Sequence, residues 1–491
     1  MSQLMYKIGS FIDGELVAPE ELQKIEVFSP LTQECIGVIP LLDRERTRQI
    51  FKSSKEAFKK WSQLDYDTRE KFLFLFSSKL QENSRELSQV ISLESGKSKE
   101  DSLDEIKRSC EYISETIHFF NAIMRNPREY NSEKYPLLSE ELQALYFRVP
   151  LGVILSITPF NYPLNTMITK IVPALLMGNS VIQKSSINGS LTGYLVSKIF
   201  NELSIDGYLV TPGVLNYYTG RGSTLESFIR EEKPEISALS FTGSSDAGFS
   251  IASALPGIPQ ALELSALNTA LVLDDAELST SVSEILKGTL KYSGQRCTSI
   301  KLVFVPKHLE KEFKSILIRE LSSFKLDNVP IINKASLRKI EEAYKDALSK
   351  GAHLITAPIN WGEQTSLVIP PLVFFDVKQD MLVSHKEIFG PILSVISYTD
   401  LEEAISQINN LGYGLQASIF SKDIKVAGEI ALKIDVGRVN LNLAPARSPD
   451  LLPFPSSRKS GNSEQGIINS LYFFSKFRGI VFKESKEEIK D

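Results

Sequence analysis

An α/β protein built on two parallel sheets is what this sequence predicts, and three observations carry that expectation. From Gly152 onward, short β-prone apolar runs at 153–157, 180–183, 214–218 and 236–241 alternate with helical segments such as 165–177. Alternation of this kind is the pattern of parallel strands joined by crossover helices. A second series begins near Thr269, with strands expected at 270–273 and 301–305 and a helix at 309–324. The length of 491 residues, 42% of them hydrophobic, supplies material for two or three cores.

Ahead of these units the chain opens on a short polar strand-and-turn pattern and then turns helical. Ile50, Phe51, Ala57, Phe58 and Trp61 share one helical face. A second long helix is expected to start at a capping box of Asp67 and Glu70, to carry its apolar face over 72–93 and to stop at Gly96. Residues 126–141 are charged, proline-bearing and aperiodic, and a strand-like run at 142–149 follows, which fits an arm reaching away from the body. The tail at 471–482 is aromatic and β-prone but has no sequential partner, so pairing with another subunit is expected. The sequence shows no internal repeat.

Composition narrows the function. With 55 basic and 60 acidic residues and a net charge of -5, the chain has no general attraction for nucleic acid or an anionic membrane. No apolar run approaches the roughly 18–20 residues of a membrane helix, and Asp13 and Glu15 interrupt anything resembling a secretory signal. A cytoplasmic protein that binds neither membrane nor nucleic acid is expected. Cys35, Cys110 and Cys297 are odd in number and widely scattered, which argues against a disulfide framework and against a metal cluster. At least one thiol is then free, either as a buried hydrophobe or as a reactive group.

Cys297 ends the run YSGQRCT just before a predicted strand. A lone cysteine is more often buried structure, but Arg296 beside it favours the thiolate, the nucleophilic form. Glu263, in ALELS, closes an apolar run where a carboxylate has little structural reason to be. It is either a surface turn residue or a general base whose pKa an apolar cleft has raised. Asn161, between Pro159 and Pro163, follows the strand 153–157. It is a turn asparagine or an oxyanion donor held at a strand's carboxyl end. The segment GSSDAG, starting at Gly243, follows a strand and precedes a helix, so its amides are candidates for binding a pyrophosphate. Its spacing is not the dinucleotide fingerprint. Lys184 places one cation at the rim where a doubly wound sheet takes its ligand.

Taken in order, these segments resemble the aldehyde dehydrogenase superfamily over almost the whole chain. The matching stretches are PFNYPLN from Pro159, KIVPALLMGNSVIQK from Lys170, FTGSSDAG from Phe241, LEL from Leu262, GQRC from Gly294, KEIFGPI from Lys386, YGLQASIF from Tyr413 and PFPSSRKSG from Pro453. The resemblance implies a Rossmann-like cofactor domain at 1–125 and 150–262 and an α/β catalytic domain at 263–446. An oligomerisation arm and tail at 126–149 and 447–491 would build homodimers or homotetramers. It also implies Cys297 as nucleophile, Glu263 as the base for deacylation, and Asn161 with the Cys297 N–H as oxyanion hole. Lys184 would meet the adenosine ribose, Thr242, Gly243 and Ser244 would line the cofactor cleft, and Glu387 and Phe389 would hold the nicotinamide end.

Within the superfamily the chain is most similar to the non-phosphorylating glyceraldehyde-3-phosphate dehydrogenases of glycolysis, which favour NADP. Arg108, Tyr162, Arg296 and Arg447 stand where that branch places phosphate ligands. Ser185, Ser186 and Ile187 after Lys184 include no acid to repel a 2'-phosphate, so NADP is the expected cofactor, with NAD the alternative. The implied reaction takes glyceraldehyde 3-phosphate to 3-phosphoglycerate through a thioester. Another small anionic aldehyde, or a catalytically weak cofactor-binding role, are the alternatives. The last is motivated by Ser265 and Ala266, which replace both glycines of the family's ELGGK, and by Ser448 and the pair Pro455 and Ser456, where further glycines are lost. Side chains at 265 and 266 would crowd the nicotinamide or displace Glu263.

Overall fold

Capping carboxylates shape the helical front. In the computed structural model, which describes residues 6–18 and 22–483, the helix Arg44–Trp61 starts where the Asp43 side chain accepts the Arg46 N–H. Its apolar face ends in Trp61, fully buried, whose indole N–H donates to the Leu175 carbonyl at 2.8 Å. The long second helix expected from the sequence is two helices, Tyr66–Glu82 and Ser84–Ser95, broken at Asn83. Its cap is Asp65, which accepts the Thr68 N–H. Asp67 and Glu70 pair instead with Arg125, near the end of the following helix Lys99–Ile123. Gly96 closes the second of the two helices in the left-handed conformation, as expected.

Two buried carboxylates of this front dock it onto the α/β body. Glu94 accepts the N–H groups of Leu191 and Thr192 at 2.9 and 3.0 Å, at the start of helix Ser190–Asn201. Glu105 accepts those of Leu164 and Asn165, both at 3.0 Å, at the start of helix Pro163–Leu176. Glu105 also holds Lys97 at 2.5 Å in an ion pair shut off from solvent. The first N–H groups of a helix have no partner within it, so an acceptor held there from another element fixes each body helix from outside.

The first sheet has seven strands in the order Gln260–Glu263, Ala238–Thr242, Val153–Thr158, Ser180–Ser185, Leu215–Tyr217, Ser10–Ile12 and Glu15–Val17. The first five are parallel and the last two form an antiparallel edge. Chain order runs one way from Val153–Thr158 and then returns to its other side with Ala238–Thr242. A crevice therefore opens at the carboxyl ends of these two strands, the switch point where doubly wound sheets bind ligands. The second sheet is also seven-stranded, with Ile300–Pro306 and Asn268–Val272 at its centre and Ile392–Tyr398 beside Ile300–Pro306.

A third, three-stranded sheet joins Arg128–Tyr130, Leu142–Pro150 and Ser475–Lys483. The tail strand has a partner within its own chain and lies at the edge of this sheet. Ser475–Lys483 pairs antiparallel with Leu142–Pro150 of its own chain, Ser475 opposite Pro150 and Lys483 opposite Leu142. The partner lies more than 300 residues away, too far for a sequential reading to find it. Among the described residues no helix is long and apolar enough to cross a membrane.

Candidate active site

Strand direction brings the candidate residues to one seam. Asn161, Lys184, Thr242 and Glu263 all lie at or just past the carboxyl ends of first-sheet strands, whereas Cys297, Glu387 and Phe389 lie just before the second-sheet strands Ile300–Pro306 and Ile392–Tyr398. The carboxyl rim of one sheet thus meets the amino rim of the other.

The loop carrying Cys297 is strained and pinned. Tyr292 and Ser293 both adopt the left-handed conformation, with φ of 56° and 48°, and Gly294 follows at 67°. Only glycine fits at 294, because a Cβ there would come within 2.1 Å of the Gly390 carbonyl oxygen. The Tyr292 hydroxyl donates to the Ser95 carbonyl at 2.7 Å, its N–H donates to Asp327 at 3.0 Å, and Ser293 donates to the Val329 carbonyl at 2.6 Å. Gln295 of the GQRC motif is fully buried, donating to the Pro330 carbonyl and accepting from the Ile332 N–H, both at 2.9 Å. Asn161, also buried, donates its side-chain N–H to the Gln295 carbonyl at 3.0 Å and so ties the first-sheet loop to this one. An amide carries two such N–H groups, so one is left for an oxyanion.

Burial pushes the Cys297 thiol up to about 12; Glu263 adds to the rise, Arg447 opposes it more than Arg296 does. The expectation that Arg296 would yield a thiolate is therefore corrected: burial outweighs it. Arg296 turns toward the end of helix Leu278–Leu290 and donates to the Gly288 carbonyl at 3.0 Å. That placement matches a cation to the negative end of a helix.

Glu263 is buried, but its surroundings are not apolar. It accepts from the Thr242 hydroxyl at 2.8 Å and pairs with Arg447 at 3.3 Å. Arg447 also lies 3.7 Å from Asp450, and Asp450 takes a two-pronged ion pair from Arg108 at 2.8 and 2.9 Å. Burial works against the Arg447 charge, but Glu263 and Asp450 outweigh it and hold the guanidinium protonated. Arg108 and Arg447 are thus brought together. Tyr162 lines one cavity with Arg108, under the Lys97 ammonium at 3.6 Å from its ring centre, whereas Arg296 faces the helix end.

Glu387 accepts the Ala266 N–H at 3.0 Å, and burial raises its carboxyl while the neighbouring Lys301 opposes the rise. Phe389 packs edge-on against Phe160, ring centres 5.9 Å apart. Lys184 is buried, donates to the Ser185 carbonyl at 3.0 Å and is pushed down to about 8 by desolvation. The amides of GSSDAG are partly answered within the chain: Ser244 accepts the Ala247 N–H and Ser265 the Ser245 N–H.

Three residues at the seam are given no role by the motif reading. Asn268 donates to the Cys297 and Ser299 carbonyls at 2.7 and 3.0 Å. Lys301 donates to the Gly294 and Gly390 carbonyls at 2.7 and 2.9 Å, clasping the Cys297 loop to the loop of Glu387. Lys170 donates to Ser240 at 3.0 Å, and burial lowers it to about 8 while the Glu263 charge opposes that fall. Each is a polar residue inside a strand or helix that is otherwise largely apolar, and that was the available signal.

A cysteine, a carboxylate and an amide gathered between a doubly wound sheet and a second α/β unit define the class. The aldehyde dehydrogenase family model matches residues 16–480, and the chain belongs to that family. It is 32% identical over 484 residues to the NADP-dependent glyceraldehyde-3-phosphate dehydrogenase of Streptococcus equinus, covering 97% of this chain and 99% of that protein. It is 29% identical over 480 residues to the lactaldehyde dehydrogenase of Methanococcus aeolicus, covering 96% of this chain and 99% of that one. The solved structure of NADP-dependent glyceraldehyde-3-phosphate dehydrogenase from Bacillus halodurans C-125, complexed with NADP, superposes with a TM-score of 0.91 at 32% identity, covering 98% of this chain and all of that chain.

Proposed function

We propose that this chain oxidises glyceraldehyde 3-phosphate to 3-phosphoglycerate with NADP. The observation that carries the substrate assignment is the meeting of Arg108 and Arg447 at Asp450, beside Glu263. Two guanidiniums face one shared carboxylate there, and the Arg108 pair uses only Nε and Nη2, which leaves Nη1 to donate to a phosphate. The NADP-dependent relatives support the cofactor. So does the adenosine end of the crevice, where the Ser186 hydroxyl is buried without a partner, two residues from Lys184. A sugar hydroxyl or a phosphate oxygen would satisfy it, and no acid in the segment 185–187 repels a 2'-phosphate.

In this reading the Cys297 thiol loses its proton to water, and the sulfur adds to the aldehyde carbon. Asn161 and the Cys297 N–H donate to the oxygen that becomes negative. A bound nicotinamide supplies the hydride acceptor that turns the adduct into a thioester. Glu263 then accepts a proton from the water that attacks the thioester carbon, the C–S bond breaks and the carboxylate leaves. Arg447 holds the Glu263 carboxylate in position, while Asp450 holds Arg447 and Arg108 in place.

A second reading, another small anionic aldehyde, rests on the same cluster: Asp450 already answers part of its positive charge, and Arg296 faces away. An NADP-coupled assay on glyceraldehyde 3-phosphate, glyceraldehyde and lactaldehyde separates the two. The first reading requires the highest kcat/KM on the phosphorylated substrate and at least equal use of NADP and NAD. A preference for lactaldehyde sinks it.

A further inference from the structure

Ser265 stands two residues past Glu263, between the two sheets. Its hydroxyl accepts the Ser245 N–H at 3.3 Å, and Ser245 opens the helix Ser245–Ser253 at the first-sheet crevice. The Ser265 side chain also favours the ionised form of Glu387, and the next residue, Ala266, donates its N–H to that carboxylate at 3.0 Å. Segment 265–266 thus ties a helix N-terminus on the first sheet to a loop of the second. A third segment closes over the same point, because the Ser245 hydroxyl donates to the Lys459 carbonyl at 2.8 Å.

We propose that Ser265 is a latch across the cofactor crevice, which the nicotinamide half of the dinucleotide must open, so that this residue sets cofactor affinity. The inference rests on the dehydrogenase reading. The nicotinamide-side phosphate, seated at this helix, would need the Ser245 N–H, and a ribose held by Glu387 would need the carboxylate that segment 265–266 now engages. A ligand gains only the difference between its own hydrogen bonds and those it displaces. Glycine at 265 removes both the hydroxyl and the Cβ, whereas alanine removes the hydroxyl alone.

Calorimetric titration of the full chain without aldehyde tests this, using NADP and, as a probe lacking the nicotinamide half, adenosine 2',5'-bisphosphate. Ser265→Gly is expected to tighten NADP about tenfold and to leave the bisphosphate unchanged. Ser265→Ala, which keeps the Cβ and is the milder change to the backbone, should recover most of that gain. Amide hydrogen exchange at Ser245 should quicken in both variants in the absence of ligand. Unaltered NADP affinity with normal bisphosphate binding, or unaltered exchange at Ser245, overturns the latch alone. If neither nucleotide binds wild type or variants, the dehydrogenase reading falls and takes the latch with it.

Discussion

Around Cys297 the backbone carries the specification, while around Arg447 side-chain charges do. Two consecutive non-glycine residues, Tyr292 and Ser293, are left-handed, at about 1–2 kcal/mol each, and persist because Ser95, Asp327, Val329 and Lys301 hold the loop. The second region is a chain of ions from Glu263 through Arg447 and Asp450 to Arg108, with two of its contacts at 3.3 and 3.7 Å. Fixed carbonyls and amides give the first region one geometry. The flexible side chains of the second can regroup when a further anion arrives. Nucleophile placement should therefore tolerate almost no change, and substrate recognition should degrade in steps.

The largest expected effect is in the pinned region. Cys297→Ser should lower oxidation by at least about 10³-fold, because a serine alkoxide is not available at neutral pH without a dedicated base. Cofactor binding, measured by titration, should persist; substantial turnover by this variant would remove Cys297 as the nucleophile. Glu263→Gln should give a burst of about one reduced cofactor per site and then stall, since a neutral amide cannot activate water against the thioester. An unchanged steady state would assign that proton to another group.

The thiol itself offers a pH test. A cysteine pushed up to about 12 is protonated throughout the neutral range, so its thiolate fraction rises with pH across that whole range. Alkylation of the free protein by iodoacetamide at Cys297 should accelerate about tenfold for each pH unit between 7 and 9. A plateau near pH 7 would mean that Arg296 or Arg447 outweighs burial after all.

What the sequence disclosed follows the same division. Cys297, Glu263 and Asn161 could be singled out as candidates because each sits in a short motif beside a strand, and strand direction brings those positions to one seam. The alternation of strands and helices likewise announced both α/β units. Partners distant in sequence stayed hidden: Asp450 meets Arg108 across 342 positions, and the tail strand pairs with Leu142–Pro150 of its own chain. Arg296 misled for a physical reason. Adjacency in sequence suggested an electrostatic effect on the thiol, yet the helix end offered the guanidinium carbonyls to bond, and burial governed the sulfur. Asp67 and Glu70 had the spacing of a capping box, but the neighbouring helix offered Arg125, and Asp65 was better placed for the backbone.

The smallest expected effects lie in the ion cluster, where two arginine substitutions part the reading of substrate recognition from that of base positioning. Arg108 touches Asp450 and not Glu263, so Arg108→Ala should weaken kcat/KM for glyceraldehyde 3-phosphate by about 1.5–3 kcal/mol, the scale of a hydrogen bond to a charged group. Unphosphorylated glyceraldehyde, which never engages the clamp, should be little affected. Arg447 touches Glu263 as well as Asp450, so Arg447→Ala should penalise both aldehydes, the neutral one through the loss of charge beside the base and the phosphorylated one through both contacts. The ratio of the two kcat/KM values in each variant decides the matter. If Arg108→Ala lowers both substrates equally, Arg108 serves only to hold Asp450, and the aldehyde is not recognised through a phosphate there. If Arg447→Ala spares glyceraldehyde, the 3.3 Å contact with Glu263 does not govern the base, and Arg447 belongs to the clamp alone.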